Sequence, residues 1–513
     1  MNFEVVTGDI TKQTTAVAVV NLFSGVTAPE GATGAVDSSI GSTISKLIED
    51  GEIKGNASEA TVIHTLDDRY GDFAPDRVLV AGLGKSDKLD ADGIRKVAAT
   101  VARRVRSIGA SEATTILHGA GIGGIDPAVS AESIVEGSIL GTYEFKNYKS
   151  SNEDDDDESK GLETFTIIEL DASKASELQA AVDRATSIAT AEALARDLVN
   201  HPPNIMTPTR LAEEAVAVAE ATDGLSITVL EREDAEKMGM GAFLGVAQGS
   251  HEPPKMIRMD YAGDPDDADN NLWIIGKGIT FDSGGLSLKP SSGMETMKSD
   301  MAGGASVIAA ARAIAEIAPK INVTALCLAT ENMPGGGAQR VSDVVQAMNG
   351  KYIEVLNTDA EGRLTLADAL VYARENGAKR MVDIATLTGG IVVALGKGNA
   401  GAFSNDDDLV NALIAAGDKR GQWFWRLPLD EVARRQNRSK IADLKNTGGR
   451  LAQAITAAHF IGEFAEDTPW VHLDIAAMAM SDGTNGILTA GATGSPTRTL
   501  VQLALDLADS DSQ

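Results

Sequence analysis

Short apolar runs alternate along the chain with longer segments in which apolar residues recur at helical spacing. Apolar runs of about four to eight residues bounded by turn residues indicate buried strands, and apolar residues repeated every three or four positions indicate helices. Their alternation predicts an α/β fold, with mainly parallel or mixed sheets flanked by helices. The 513 residues exceed what one hydrophobic core normally organises. We therefore predict two α/β domains joined by a long helix.

The predicted boundary between the domains lies at the start of an alanine-rich periodic segment. The first domain covers residues 1–172, and the second covers 173–513, beginning with a linking helix at 173–199 that Pro202 and Pro203 terminate. In the first domain, strands are predicted at 2–6, 16–20, 77–83 and 114–118, and helices at 42–49 and 92–108. In the second domain, strands are predicted at 225–230, 272–275, 322–329, 352–356 and 380–384, and helices at 211–221, 304–318, 341–348 and 364–374.

Composition and charge disfavour some classes of binding partner and some cellular compartments. The formal net charge of −29 disfavours nucleic acid or an anionic membrane as a partner. The single cysteine, Cys327, lies in an apolar run, so an intrachain disulfide is excluded and a reducing compartment is expected. The N-terminus lacks a basic region followed by an apolar core, and no apolar run approaches the ~20 residues of a membrane helix. These features predict a soluble cytoplasmic protein.

Two motifs in the first domain each allow a structural and a functional interpretation. Residues 119–124, Gly-Ala-Gly-Ile-Gly-Gly, match GxGxxG between a strand and a helix, as a dinucleotide site would. We favour a glycine turn, because the match is short and because Glu132 and Glu136 lie nearer than the ~20 residues expected of a ribose-binding acid. The acidic run at 153–158 is interpreted as a solvated loop rather than a metal site.

The sequence NTDAEGRL at 357–364 follows a predicted strand and precedes a predicted helix. It therefore lies at the carboxyl end of a strand, where open α/β sheets bind their ligands. In an extended backbone, Asp359, Glu361 and Arg363 would point to one side and could hold a cation and an anion together. The alternative is an ordinary helix start, with Thr358 or Asp359 as the cap and acidic residues in the first turn.

Upstream stretches carry residues of the same kind. The glycine-rich segment 276–290 contains Lys277, Asp282 and Lys289 after a strand, and Asp300 lies near the start of a helix. Taken singly, a lysine among glycines is usually exposed, and an aspartate before a helix is usually a cap. Their chemistry becomes specific only when they are considered together with the acids of 357–364.

Four acidic side chains follow strands or begin helices in these stretches, and one sheet would bring them to one edge: Asp282, Asp300, Asp359 and Glu361. Crowded carboxylates repel one another unless cations are present. Four of them can hold two divalent ions, and such ions can activate a shared water and polarise a carbonyl. The six histidines are scattered outside these stretches, which disfavours a histidine-based zinc site.

These stretches resemble the leucyl aminopeptidase family of dimetal peptidases, also called cytosol aminopeptidases. NTDAEGRL at 357–364 matches the signature octapeptide of that family at every position, and GKGITFDSGGLSLKP at 276–290 and MKSDMAGGA at 297–305 match its other metal-site segments. Further segments that resemble family blocks, in the same order, are DLVNHPPNIMTP (197–208), DIATLTG (383–389) and GATGSPTRTL (491–500). The resemblance is strong over about 190–513 and rests on domain order over 1–172.

The resemblance implies a role for each residue of the metal site. Asp282 and Glu361 would bridge two metal ions, Mn²⁺ or Zn²⁺. Lys277 and Asp300 would complete the shell of one ion, and Asp359 would bind the other through its side chain and its backbone carbonyl. A lysine ligand must be neutral, so a neighbouring metal ion is expected to depress the pKa of Lys277.

The resemblance also implies the catalytic groups. Lys289 would stay cationic and polarise the scissile carbonyl or its tetrahedral oxyanion. Arg363 would hold a bicarbonate ion bidentately, and that anion would act as general base toward the attacking water. The free α-amine of a peptide would bind one metal, which implies exopeptidase specificity. Met297, Thr386 and Gly389 match positions that line the first side-chain pocket, with leucine or methionine as the expected preference.

The sequence is thus interpreted as a metal-dependent leucyl aminopeptidase, and the resemblance implies a homohexamer. One alternative within metal-hydrolase chemistry is a dipeptidase acting on cysteinylglycine-like substrates. A DNA-binding regulatory protein is a second alternative, which the net charge of −29 opposes. A catalytically inactive scaffold and a nucleotide enzyme built on residues 119–124 are the remaining ones.

Overall fold

The computed structural model describes residues 1–65, 70–121, 123–150 and 161–510. The acidic run at 153–158 therefore lies outside the described residues. Contacts divide the chain into a first unit, Met1–Thr190 with Gly483–Thr489, and a second unit, Ala191–Asp482 with Ala490–Gln513. In the part of the chain that the structure describes, no helix combines the length and apolarity needed to span a membrane.

The first unit is built on one six-stranded sheet among the described residues, in the order β1-β6-β5-β2-β4-β3, and only the β3–β4 pairing is antiparallel. Its strands are β1 (Asn2–Thr7), β2 (Ala18–Phe23), β3 (Ala60–His64), β4 (Arg77–Gly84), β5 (Glu112–Thr115) and β6 (Thr164–Glu169). Its helices are α1 (Gly31–Ser39), α2 (Thr43–Glu49), α3 (Ala91–Ser107), α4 (Pro127–Gly141) and the first part of α5 (Ala175–Asn200).

Helices cover both faces of this sheet, because alternate strand residues point to opposite sides. On one face, Val36 of α1 and Ile44 of α2 pack with Val20 and Val80. The opposite face carries the residues of α3, α4 and α5 together with other strand residues, including Val19. The predicted α/β fold with a mainly parallel sheet is therefore confirmed for this unit.

The division between the units falls inside α5, between Thr190 and Ala191. The predicted boundary at 172/173 lies before it. The reason is that Leu178, Val182 and Ala185, in the first half of this helix, belong to the hydrophobic core of the first unit.

The second unit contains a mixed eight-stranded sheet among the described residues, in the order β15-β14-β17-β13-β9-β10-β8-β7. Its strands are β7 (Leu225–Leu230), β8 (Lys255–Ala262), β9 (Asn271–Asp282), β10 (Asn322–Asn332), β13 (Met381–Ala385), β14 (Asn399–Ser404), β15 (Trp423–Arg426) and β17 (Trp470–Asp474). Smaller pairings involve β11 (Asp343–Gln346), β12 (Tyr352–Val355), β16 (Leu444–Lys445), β18 (Met480–Ser481) and β19 (Gly491–Ala492).

Helices flank this sheet as the sequence predicted. They are α6 (Pro208–Glu220), α7 (Arg232–Lys237), α8 (Gly241–Ala247), α9 (Ser291–Met294), α10 (Ala302–Ile317), α11 (Gly362–Glu375), α12 (Gly389–Leu395), α13 (Asp407–Arg420), α14 (Glu431–Arg435), α15 (Gln453–Ala465) and α16 (Thr497–Ser510). The central strand β9 is buried along almost its whole length, since it lies between β13 and β10 with both faces covered.

Two predictions for the second unit are wrong. Residues 341–348 were expected to form a helix, but they contain β11, which pairs antiparallel with β12 and alternates between half-buried and exposed residues. The alternation is the period of a strand with one solvated face, and the valines at 344 and 345 favour it. In addition, β12 belongs to the small sheet β11-β12-β16, so the acids of 357–364 do not follow a strand of the central sheet.

Candidate functional site: an acidic and basic cluster in the second unit

The site begins at the carboxyl end of the central strand β9. Lys277 and Asp282 are five residues apart, so a regular strand would send their side chains to opposite faces. A bulge prevents this, because Ile279 pairs with Thr330 and Phe281 pairs with Glu331, which leaves one extra residue in β9. Both side chains are buried and reach the same cluster.

Asp300 lies in a 3₁₀ turn, Met297–Met301, immediately before α10. The start of α10 presses closely on the sheet, where only glycine is tolerated. A Cβ at Gly303 would lie 2.1 Å from the carbonyl oxygen of Ile384, and one at Gly276 would lie 2.4 Å from the carbonyl oxygen of Gly303. This contact brings Asp300, which is buried, against β9.

The backbone of 357–361 is a turn that leads into α11, not the extended segment in which Asp359, Glu361 and Arg363 would point to one side. Glu361 is the residue before the helix and has helical angles, φ −83° and ψ −38°. A helix does begin here, but the expected cap at Thr358 or Asp359 and the expected acids in the first turn are not found: the cap position belongs to Glu361, whose side chain makes no capping hydrogen bond, and the first turn contains no acidic residue. Gly362 begins the helix, and a Cβ there would lie 2.6 Å from Lys277 Cε. Glycine at this position therefore leaves room for the Lys277 side chain.

Lys277 links two of the carboxylates. Its Nζ lies 2.8 Å from Asp300 Oδ2 and 2.7 Å from Glu361 Oε1. It also donates a hydrogen bond of 3.2 Å to the carbonyl oxygen of Thr386. All three charged side chains are almost completely buried, so their charges are compensated within the site.

Lys289 links the other two carboxylates. Its Nζ lies 2.8 Å from Asp282 Oδ2 and 2.6 Å from Asp359 Oδ1. The remaining oxygen of Asp282, Oδ1, accepts hydrogen bonds of 2.8 Å from Asn332 Nδ2 and from the Gly284 amide. Asp282 is thus fixed by a lysine at one carboxylate oxygen and by two hydrogen-bond donors at the other.

The cluster provides oxygen atoms that suit a cation. One carboxylate oxygen from each of Asp282, Asp359 and Glu361 lies within 4.8 Å of the others. Among the described residues, Glu361 Oε2 is buried and has no hydrogen-bond donor. Asp300 Oδ2 and Asp359 Oδ1 each face only a lysine ammonium, at 2.8 Å and 2.6 Å. Closely spaced carboxylate oxygens, one of them without any donor, favour binding of a hard or borderline divalent ion.

Burial and mutual repulsion shift the pKa values of the acids of the cluster. Burial, helped by Glu361, raises the pKa of Asp282 to about 6, and burial raises the pKa of Asp300 well above its ordinary value. For Glu361, burial acts to raise the pKa, but Lys277 and Lys289 outweigh it and the pKa is lowered. The shifts in opposite directions are those of interacting carboxylates that share their countercharges.

The two lysines are held cationic by these acids. Burial acts to lower the pKa of Lys277, but Asp300 and Glu361 outweigh it, so the pKa is raised. Burial also acts to lower the pKa of Lys289, but the neighbouring acids outweigh it and the pKa is raised. Asp282 contributes most to this rise. The metal-induced depression of the Lys277 pKa stays a prediction, because a ligating metal ion would have to displace this proton.

Arg363 is the second residue of α11 and is buried. Its Nη1 donates a hydrogen bond of 2.8 Å to the carbonyl oxygen of Asn446, while its Nε is buried without a partner in the described chain. Burial lowers the pKa of Arg363 to about 10, against the opposing effect of Glu361 and Asp474. A guanidinium with an unused donor can bind a small anion bidentately.

Three further residues that the resemblance implied are placed on neighbouring segments. Thr386 is in direct contact with the cluster, because its Oγ1 donates a hydrogen bond of 2.8 Å to Asp300 Oδ1. Met297 is half-buried at the start of the turn that carries Asp300, and Gly389 begins α12 just after Thr386. Asp474 anchors the intervening loop, since its carboxylate accepts hydrogen bonds from Thr388 Oγ1 and from backbone amides of the loop.

Two asparagines that sequence reasoning missed hold the cluster in place. Asn332, the last residue of β10, donates to Asp282 Oδ1 and, at 2.9 Å, to the carbonyl oxygen of Thr358. Asn446 donates to the carbonyl oxygens of Asn357 and Ala360 and accepts from the amide of Asn357. The position of Asn332 at the carboxyl end of a buried strand was a usable signal. No local signal identifies Asn446.

Comparison with known proteins places these features in a family. A family model described as the catalytic domain of the cytosol aminopeptidase family matches residues 193–501, and one described as the N-terminal domain of that family matches residues 19–152. The probable cytosol aminopeptidase of Solibacter usitatus is 46% identical over 90% of this chain and 92% of the relative. That of Alkaliphilus oremlandii is 40% identical over 94% of this chain and 95% of the relative.

Solved structures of similar proteins have the same fold over nearly their full length. The bottromycin maturation enzyme BotP in complex with Mn is 34% identical, with a TM-score of 0.83 and coverage of 96% of this chain and 100% of that chain. A tomato leucine aminopeptidase mutant is 31% identical, with a TM-score of 0.87 and coverage of 99% of this chain and 96% of that chain.

Proposed function

The chain belongs to the cytosol aminopeptidase family, and on that premise we propose that it is a leucyl aminopeptidase that uses two divalent metal ions. It would remove the N-terminal residue, preferably leucine or another apolar residue, from peptides. The observation that carries this proposal is the convergence of Asp282, Asp359 and Glu361, whose oxygens lie within 4.8 Å of one another in a buried site. Glu361 Oε2 is also buried without a hydrogen-bond donor among the described residues, and a purely structural ion-pair cluster would be expected to satisfy it.

The residues present fit a pair of divalent ions. Asp282 and Glu361 would contact both ions. Lys277 with Asp300 would complete the set around one ion, and Asp359 would serve the other. Oxygen-rich donors suit Mn²⁺, and a mixed oxygen and amine set suits Zn²⁺. When bound, the two ions would supply Lewis acidity and lower the pKa of a water molecule.

Lys289 would act as the electrophile of the reaction. Its ammonium group is held by Asp282 and Asp359 at the opening of the cluster, and 17% of its side chain remains exposed, compared with 3% for Lys277. Its raised pKa keeps it cationic at neutral pH. A fixed cation beside the scissile carbonyl would stabilise the negative charge that develops on the oxygen in the transition state.

Arg363 would position the base. Its buried Nε has no partner in the part of the chain that the structure describes, and a bicarbonate ion bound bidentately would use this donor together with Nη2. When bound, such an anion would supply a general base for the attacking water. It is needed because the four carboxylates of the cluster already face lysine or would face metal, which leaves none free to act as a base.

Specificity would follow from the free α-amine and from the walls of the first side-chain pocket. An internal peptide bond has no free amine to bind at the cation site, so cleavage would be confined to the N-terminus. Met297, Thr386 and Gly389 would contribute to the pocket, and the apolar Met297 suits leucine or methionine.

A cytoplasmic homohexamer belongs to the same proposal. It rests on the membership of the chain in the cytosol aminopeptidase family. Sedimentation velocity would test it, with a mass of six chains as the expected result and a monomer as the contradictory one.

Hydrolysis of leucine-p-nitroanilide tests the function. The chelator-treated protein should be inactive, and Mn²⁺ or Zn²⁺ should restore activity. The variants Asp359→Ala and Glu361→Ala should stay inactive, whereas Glu375→Ala, an exposed acid at the other end of α11, should behave as wild type. A metal-loaded, folded protein that hydrolyses neither this substrate nor longer peptides, but does hydrolyse cysteinylglycine, would replace the proposal with the dipeptidase alternative.

A further inference from the structure

The first unit contains a cavity of about 520 Å³ that the proposed aminopeptidase chemistry does not use. It opens at the carboxyl edge of the six-stranded sheet, because its walls come from the segments that end or follow β1, β2, β5 and β6 and from the start of α1. All of its lining residues belong to the first unit. A volume of this size accommodates a small organic molecule.

The cavity lies where the order of the strands reverses. Strands β2 and β5 are parallel neighbours, with Ala18 opposite Thr114. From β5 the chain continues through α4 to β6 on one side, and from β2 it continues through α1 and α2 toward β4 on the other side. The two connections diverge and leave a crevice between them. In open α/β sheets such a crevice at the carboxyl ends of the strands is the usual ligand site.

The motif at 119–124 contributes to the wall of this cavity. The expected glycine turn is present: Gly119 and Gly121 have φ values of 73° and 77°, and the Ile125 amide donates to the Gly119 carbonyl oxygen at 3.2 Å. Gly119, Ala120 and Gly121 all line the cavity. A Cβ at Gly121 would meet no atom within 4 Å, so the glycine leaves open space beside the backbone.

The polar groups in the wall indicate what kind of ligand fits. Three acidic residues, Asp9, Glu30 and Glu169, are among the residues that line the cavity, and no lysine, arginine or histidine is among its described lining residues. The Asn21 amide nitrogen is oriented by the Leu117 carbonyl oxygen at 3.4 Å and lies 3.2 Å from His118 Nδ1. Since a carbonyl oxygen only accepts, Asn21 Oδ1 is left as an acceptor for a ligand.

The rest of the wall is apolar and includes Phe23, Val26 and Ile168. Acceptors without cationic side chains disfavour a phosphate or carboxylate ligand, because like charges repel at close range in a partly enclosed site. They favour a ligand with an apolar ring body that carries amino and hydroxyl donors. A nucleoside has this chemistry: a flat base for the apolar walls, and an exocyclic amine and ribose hydroxyls for the acceptors.

We propose that this cavity is a binding site for a nucleoside without phosphate groups. The site is separate from the acidic and basic cluster of the second unit, so it does not depend on the aminopeptidase proposal. Binding would be carried by burial of the base against apolar walls, and selectivity would come from Asn21 and the three acidic residues of the lining.

Isothermal titration calorimetry on the full chain tests the proposal, with adenosine and AMP as probes. Adenosine should bind saturably, and AMP should bind at least about tenfold more weakly, since its phosphate would meet a lining with three acidic residues and no described cationic one. Ala35→Trp, which fills the cavity from an exposed position of α1, should weaken adenosine binding by about tenfold or more. Ser38→Trp is the matched control, because Ser38 is exposed on the same helix and does not line the cavity.

Circular dichroism would establish that each variant is folded before binding is compared. Adenosine binding that is lost in Ala35→Trp and kept in Ser38→Trp supports the proposal. It is overturned if adenosine shows no saturable binding to the wild-type chain, if AMP binds as tightly as adenosine, or if Ala35→Trp and Ser38→Trp bind adenosine equally.

Discussion

The carbonyl oxygen of Asn446 accepts a hydrogen bond of 2.8 Å from Nη1 of Arg363, which lies 83 residues earlier in the chain. The side chain of Asn446 meanwhile donates to the carbonyl oxygens of Asn357 and Ala360, at 2.6 and 3.2 Å. One fully buried residue therefore holds the turn that presents two of the acids and also orients the guanidinium. Asn446 is a positioning residue, because it touches these groups without belonging to the cation site.

Replacing Asn446 by Ala should lower metal affinity and kcat/KM by about 10- to 100-fold, the usual effect of removing a group that orients metal ligands. The reason is that the turn loses its side-chain hydrogen bonds while its carboxylates remain. Equilibrium dialysis with Mn²⁺ and peptide hydrolysis would measure the two quantities. Asn411→Ala, at an exposed position of α13, serves as the control. Unchanged metal affinity in the Asn446 variant would show that the turn does not need this support.

Asn332→Leu tests the support beneath Asp282. Its Nδ2 fixes Asp282 Oδ1 at 2.8 Å and the Thr358 carbonyl oxygen at 2.9 Å. Leucine keeps the volume but leaves two buried acceptors with one donor fewer, so we expect metal affinity to fall by about 10- to 100-fold and stability to fall by about 1–3 kcal/mol. Chemical denaturation with and without Mn²⁺ would separate the two effects. Equal losses of stability in both conditions would rule out a role in metal binding.

Much of the fold was predictable because it depends on periodicity. The alternation of apolar runs with periodic segments predicted both α/β units, and α10 and α11 lie within two residues of the expected positions at 304–318 and 364–374. The sheet to which a strand belongs was not predictable in this way. The sequence of β12 is like that of a strand of the central sheet, but in the structure β12 pairs with β11 and β16. This pairing is set by tertiary contacts, which the local sequence does not show.

The chemistry of the candidate site was predictable as a set of residue types, and its geometry was not. The acids at 359 and 361 stood out by their spacing, but they converge through a turn rather than an extended segment. The bulge that brings Lys277 and Asp282 to one side arises from the register of β9 against β10, which no local pattern shows. The partners of Asn446 are 86 and 89 residues away, so only the folded chain reveals them.

Gly362→Ala tests the position of Lys277. A Cβ at this residue would lie 2.6 Å from Lys277 Cε and 2.7 Å from its Nζ, so the lysine side chain must move. Helix propensity favours alanine over glycine in the first turn, so the fold should persist, whereas activity should fall by about tenfold or more. Gly293→Ala is the matched control, because the nearest atom to its Cβ would be 3.9 Å away. Wild-type activity in Gly362→Ala would contradict a role for the observed Lys277 position.

Divalent ions should stabilise the protein, because the carboxylates of the cluster repel one another without them. At a free Mn²⁺ concentration of 100 times Kd, the expected gain in the free energy of unfolding is about 2.7 kcal/mol. The melting temperature measured in a Mn²⁺ titration should rise for the wild type and barely change for Glu361→Ala. The same rise in both proteins would locate the stabilising ion elsewhere.

His118 should make the first unit sensitive to acid. Complete burial lowers the pKa of its imidazole to about 4, compared with about 6.5 in an unfolded chain. As the pH falls, the unfolded state therefore binds a proton before the folded state does. The contribution of neutral His118 to the free energy of unfolding is complete above pH ~6.5 and is lost as the pH falls toward ~4. Between pH 7 and pH 5 the loss should be about 2 kcal/mol.

The variant His118→Gln isolates this contribution, because the other ionisable groups are common to both proteins. Urea unfolding at pH 7 and pH 5 would give the free energy of unfolding of each. The wild type should lose about 2 kcal/mol more than the variant on acidification. Equal losses would mean that His118 does not titrate differently in the folded and unfolded states.

The central claim is that the acidic cluster of the second unit holds two divalent ions. Equilibrium dialysis against Mn²⁺ followed by elemental analysis measures the number of ions bound per chain. The account predicts about two ions for the wild type and for Glu375→Ala, and fewer for both Asp359→Ala and Glu361→Ala. No bound ions in the folded wild type, or the same number in all four proteins, would contradict it.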